Sequence, residues 1–191
     1  FTLRERIEHR IPEGLDIVNL AIVNRFTKAI TNGWVEKWQA KQIAKAVNDY
    51  QADVVLSCSC DRITRHMQHP NMYFWVKGDT SAQFRHSAKR EKKFAKQRTY
   101  YNGRKIIAVS RGVEQNLLDV IGIRPAHIQT IYNPYERQPF LEMAKEQVSL
   151  PLSEYFLHVG AFTHVKRQDR LLRAYARSGV ETPLMLLGKG E

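Results

Sequence analysis

The chain has 191 residues, of which 43% are hydrophobic and 26% charged, so it is long enough to bury a core and has the make-up of a soluble globular protein. No apolar run approaches the roughly 18 residues of a membrane span, and the front of the chain lacks the apolar stretch of a signal peptide. The formal net charge of +11 asks for an anionic partner without choosing between phosphate, nucleic acid and lipid.

In chain order, Leu15 to Ile22 reads as a buried strand, and Trp34 to Tyr50 as a helix with Ile43, Val47 and Tyr50 on one face. Ala52 to Ser57 is a short apolar strand with Asp53 at its mouth. Cys58 and Cys60 follow; they stand too close in sequence to bridge well, and two ligands do not make a zinc site, so both read as reduced thiols. That usage fits a cytosolic protein. Asp61 to Gln68 reads as a short helix carrying His66, broken by Pro70. Asn71 to Val76 is the next strand, and His66, His69 and His86 read as surface or packing residues.

The densest positive charge comes next, from Arg85 to Arg98. On a helix, Arg85, Lys89, Lys92, Lys93 and Lys96 fall on or near one side. A solvated face, a phosphate-binding face and a face for an anionic lipid leaflet are all compatible with it. Lys105 to Val109 is a strand, and Ser110 can cap a helix through Leu117, Leu118 and Ile121 that stops at Gly122. His127 to Tyr132 is one more strand. Alternating strands and helices predict an α/β fold with a mostly parallel, doubly wound, Rossmann-like sheet. Asn133-Pro134 ends the alternation, and Pro139 and Pro151 punctuate the next stretch. The expected organisation is a first domain over 1–135, a linker over 136–153, and the start of a second domain over 154–191.

That second domain opens on a βα corner. An apolar run, Tyr155 to Val159, stops at Gly160; a polar loop leads to a helix bearing Leu171, Leu172, Tyr175 and Ala176 on one face. The first N–H groups of such a helix have no intrahelical partner and suit a phosphate. Lys166 adds a full charge beside them.

The stretch from His158 to Ala176, with Gly188, Lys189, Gly190 and Glu191 closing the following strand, resembles the opening of the donor-sugar domain in GT-B glycosyltransferases of family 4. Residues 106–136 are similar to the last strand–helix–strand of that family's acceptor domain, and Tyr50 to Ser57 to an earlier strand of it. The motifs occur in the family's order and cover most of the chain from about Asp53. The resemblance implies an internal fragment, with the acceptor domain's first strand before Phe1 and the rest of the donor domain after Glu191, inactive by itself.

It also implies transfer of a hexose from a nucleotide-diphosphate sugar to a glycan or glycolipid acceptor, in lipopolysaccharide, capsule or other envelope polysaccharide synthesis. Retention at the anomeric carbon and independence of metal or other cofactor are the family's tendencies. Gly160, Lys166 and Arg167 would hold the donor diphosphate, with Lys166 catalytic; Ala161 stands where the family usually has an arginine. Lys77 and Asp79 would lie on the acceptor side, Asp79 serving either as a base or as a helix cap. The basic helix would touch an anionic inner leaflet or acceptor, giving a cytoplasmic protein that associates with the membrane, and no nucleic acid is expected. The alternatives are a nucleic-acid-binding α/β module using the basic helix with Tyr100 and Tyr101, and another GT-B sugar enzyme such as a nucleotide-sugar epimerase.

Overall fold

The computed structural model describes residues 2–4, 14, 17–24, 27, 33–79, 81, 88–149 and 152–190. Leu15, Asp16, Arg85, His86 and Glu191 therefore lie outside the described residues, and what is expected of them rests on sequence alone. The chain divides into two compact units, Phe1–Pro134 and Tyr135–Glu191. Each is taken by itself.

The first unit is built on a parallel sheet of four strands: β3 (Val55–Cys58), β4 (Met72–Val76), β5 (Lys105–Ala108) and β6 (His127–Thr130), hydrogen-bonded in that order. A second parallel pair joins β1 (Thr2–Arg4) to β2 (Asn19–Val23). The α/β class with parallel strands is as expected. Among the four strands the order runs in one direction, so any reversal point of a doubly wound sheet lies outside them. β4 alternates buried Met72, Phe74 and Val76 with half-buried Tyr73 and Trp75. Such near-continuous burial marks a central strand covered on both faces. Phe74 and Ile106, adjacent in register on β4 and β5, are completely buried and form the middle of the core.

Helix α1 (Gly33–Asp49) buries Glu36, Gln39, Ala40, Ile43 and Val47, a spacing of three and four that makes one face. Tyr50, expected on that face, is 58% exposed, because the helix has ended by then. The amide Nε2 of Gln39 donates to the carbonyl of Ile22 at 2.9 Å, tying α1 to β2. The helix expected to run to Gln68 is a single turn, α2 (Asp61–Thr64), continued by non-helical turns.

The basic segment forms α3 (Arg90–Tyr101), with Phe94 and Tyr101 buried and Lys92, Lys93 and Lys96 exposed. Ser110 caps α4 (Arg111–Gln115) as predicted, its hydroxyl accepting from the Val113 N–H at 3.2 Å. α4 then continues as a π-helical segment, Asn116–Ile121, which ends at Gly122 in the left-handed region with φ of 74°. Leu117 and Ile121 are buried there, whereas Leu118 stays 36% exposed.

In the second unit, Arg137–Met143 forms a helix, α5, inside the stretch read as linker. A parallel pair follows, β7 (Phe156–Val159) and β8 (Leu184–Leu187), connected through a 3-10 turn (His164–Lys166) and α6 (Gln168–Ser178). Strand, loop and helix stand where the periodicity placed them. The predicted apolar face of α6 is only half covered: Leu171 and Tyr175 are partly buried, Leu172 is 48% exposed and Ala176 is exposed.

Candidate functional site

The corner between β7 and α6 is held by backbone contact. The Gly160 N–H donates to Leu187 O at 2.9 Å, and the Phe162 N–H to Lys189 O at 2.8 Å, so pairing continues past the ends of both strands. A Cβ added at Gly188 would sit 2.0 Å from the carbonyl oxygen of Gly160. No side chain fits there, and glycine is obligatory at 188. At Gly160 itself a Cβ would meet only ordinary contacts, 3.5 Å from His158 Nε2 and 3.9 Å from the Cγ and Cδ of Lys166. The glycine the geometry requires is thus Gly188, and Gly160 contributes its backbone.

Those distances also place Lys166. Its aliphatic stem lies over Gly160, and among the described residues its ammonium makes no ion pair. Arg167 is differently occupied. It starts α6 in the left-handed region, φ 53°, an uncommon conformation for a residue with a side chain. Its guanidinium grips Asp169 through two bonds of 3.1 Å. That hydrogen bond holds the exposed Asp169 carboxyl below the usual carboxylate range. Lys166 and Gly160 are therefore brought together, while Arg167 is already paired. Arg170 and Arg173 add further positive charge on the first turns of α6, against the one carboxylate of Asp169.

Gln168 was not singled out by the sequence, where it reads as one more polar helix-start residue. It is the one residue of the second unit that is buried among those described. Its amide Nε2 donates to Ala161 O at 2.8 Å and lies 3.4 Å from the His158 ring, closing the loop across its base. No signal in the sequence distinguished it from its neighbours.

In the first unit, Lys77, Gly78 and Asp79 follow the carboxyl end of β4. The Lys77 ammonium lies 4.8 Å from the Trp75 ring centroid, a cation–π contact. The Asp79 carboxylate accepts from the Ser81 N–H at 2.7 Å, a local side chain–backbone turn; the helix it would cap lies outside the described residues. At the end of β3, burial pushes the Cys58 thiol up, against the opposing pull of Lys77. Beside it lies a buried polar cluster. The Ser57 hydroxyl donates to Asp61 at 3.0 Å and pairs with the Thr64 hydroxyl at 2.6 Å; the Tyr101 hydroxyl donates to Asp61 at 2.7 Å. Desolvation raises the Asp61 pKa despite both bonds.

On α3, Tyr101 is 6% exposed and spent on that cluster, so it offers no stacking surface for a base. Tyr100 is flanked by the Arg65 guanidinium at 5.0 Å and the Lys96 ammonium at 6.0 Å. An open depression lined by Gln68, His69, Pro70 and Arg104 lies at the amino-terminal edge of the sheet. Its Arg104 is used on the carbonyls of Met67 and Arg65. Among the described residues, no three His, Cys, Asp or Glu side chains cluster as metal ligands would, and no helix is long and apolar enough to cross a membrane.

No protein-family model matches the chain, and no curated protein matches it. Among solved structures, it is similar to a glycosyltransferase from Rickettsia africae ESF-5, with a TM-score of 0.45 and 16% identity. The alignment covers 91% of this chain and 55% of that one, so the chain spans about half the length of the structure it matches.

Proposed function

We propose that the chain is the part of a GT-B-type glycosyltransferase that receives the diphosphate of a nucleotide sugar at the β7–α6 corner. The observation that carries this reading is the backbone-to-backbone approach of Gly160 and Gly188 at the carboxyl ends of two parallel strands, with the Lys166 stem lying over Gly160. Ligands of open parallel sheets bind at the carboxyl ends of strands. Glycine backbone and an ammonium with no ion pair among the described residues suit a diphosphate at that edge.

In the reaction proposed, a hexose passes to a hydroxyl of a glycan or glycolipid acceptor, with retention and without metal. The leaving diphosphate gains negative charge as the glycosidic bond breaks. A fixed positive group stabilises that state more than the ground state, which is the role given to Lys166. Arg167 would act by fixing the loop through Asp169 in addition to any direct contact. Lys77 and Asp79 are assigned to the acceptor. The process is taken to be envelope polysaccharide synthesis at the inner face of a membrane, with Arg85, Lys89, Lys92, Lys93 and Lys96 as the basic contact for an anionic glycolipid acceptor.

Amide NMR tests the donor half directly, because it detects millimolar binding. UDP, GDP and pyrophosphate are expected to shift the Gly160, Lys166, Gly188 and Gly190 amides, with weaker binding in Lys166→Ala. If none of the three moves those signals, the reading fails.

A further inference from the structure

The outward face of α1 carries a feature that the sugar-transfer reading does not use. Trp34 and Trp38 are 85% and 48% exposed, one helical turn apart. Lys37, Lys41 and Lys45, each four residues from the next, are all exposed on the same side. The opposite side is anchored by buried groups. Glu36, 5% exposed, receives the Arg65 guanidinium at 2.8 Å, with Arg62 at 3.6 Å and the His66 ring at 3.4 Å. Gln39 is completely buried on the Ile22 carbonyl. With these contacts made, α1 cannot roll to hide its indoles. Asp49, at the last turn, is the one carboxylate of the helix that faces outward.

We infer that this face of α1 docks on an anionic lipid bilayer, lying parallel to the surface with Trp34 and Trp38 in the headgroup region and the lysines against lipid phosphates. Charge complementarity supplies the attraction, in a chain of net charge +11. The residue types match an interfacial helix, lysine on the polar flank and tryptophan at the boundary. A single exposed helix is convex, which suits a deformable plane better than the concave track that single-stranded nucleic acid follows. This inference stands whether or not sugar transfer does, and it assigns membrane contact to α1 where the sequence pointed to α3.

The test is vesicle binding by the 191-residue chain, followed by tryptophan emission and by quenching with brominated lipid. Phosphatidylglycerol-containing vesicles are expected to blue-shift the emission and to be quenched by bromine, with binding weakened by salt and nearly absent on pure phosphatidylcholine. Trp34→Ala with Trp38→Ala should abolish the bromine quenching. A basic residue near such a surface contributes roughly a fivefold gain, so Lys41→Gln with Lys45→Gln should weaken binding about twenty-five-fold. All four positions are exposed, and unchanged circular dichroism verifies that the variants fold. No binding to anionic vesicles overturns the inference, as does binding that the α1 variants leave intact while Lys92→Gln with Lys93→Gln removes it. Quenching of the same indoles by a single-stranded oligonucleotide but not by vesicles, or a dimer that Trp34→Ala dissociates, would overturn it in favour of nucleic acid or a second copy.

Discussion

Gly188 shows how much one missing methyl group can decide. Its Cβ would overlap the Gly160 carbonyl, and neither backbone can retreat without breaking the β7–β8 pairing. Gly188→Ala is expected to cost about 3 kcal/mol, the upper range for overpacking. Denaturant unfolding, read on a β7 or β8 probe, measures this. Asp61 makes a different statement. Its raised pKa means the folded state holds the proton more firmly than the unfolded chain does. Stability should therefore fall as pH rises from the ordinary carboxylate value, 3.8, through the raised one. In Asp61→Asn, the amide can accept from one hydroxyl and donate to the other, so that pH dependence should vanish and neutral-pH stability should be equal or greater. Urea melts across the acid range would show it. The sequence marked Asp61 only as a helix start, since the hydroxyl from Tyr101 comes from 40 positions away.

At the scale of elements, the capped start of α4 was legible because Ser110 directly precedes an apolar helical run. Ser110→Ala should cost about 1 kcal/mol, read as a lowered urea midpoint with unchanged slope. The strands from β2 onward were legible for the same reason, as apolar runs bounded by Gly, Pro and Asn, whereas β1 carried no such run. The βα corner was legible too, from Gly160 and the change of period after it. What stayed hidden depends on contacts between distant residues. The outward placement of Trp34 and Trp38 was not legible, and the core face of α1 contains Glu36 and Gln39, polar residues buried only because Arg65 and Ile22 O meet them. Tyr101 looked like a partner for a base and is instead a core residue. That glycine is obligatory at 188 was not legible either, since close approach of two backbones leaves no trace in residue type.

Across the molecule, burial is uneven. The first unit has a continuous core through α1, β4, β5 and α4, whereas in the second only Gln168 is buried among the described residues. Phe156, Leu157, Val159 and Leu187 are each half exposed or more on the β7–β8 pair. Backbone hydrogen bonds with so little apolar cover open easily. Amide exchange of β7 and β8 is thus expected to be faster than that of β4 and β5, by orders of magnitude, and a nucleoside diphosphate should slow the former alone. Equal protection of both sheets would contradict this account.

The Arg65 side chain has a mechanical aspect as well. Its guanidinium donates to Glu36 of α1 and, at 3.3 Å, to Thr99 of α3, while its plane lies over Tyr100. Its own carbonyl is held by Arg104, at the threshold of β5. One residue, through its side chain and its carbonyl, is thus a strut between two helices and a strand. A load applied to α1 from outside is shared with α3 and passed to the middle of the sheet, so the first unit would answer such a pull as a stiff body rather than by peeling off a single helix.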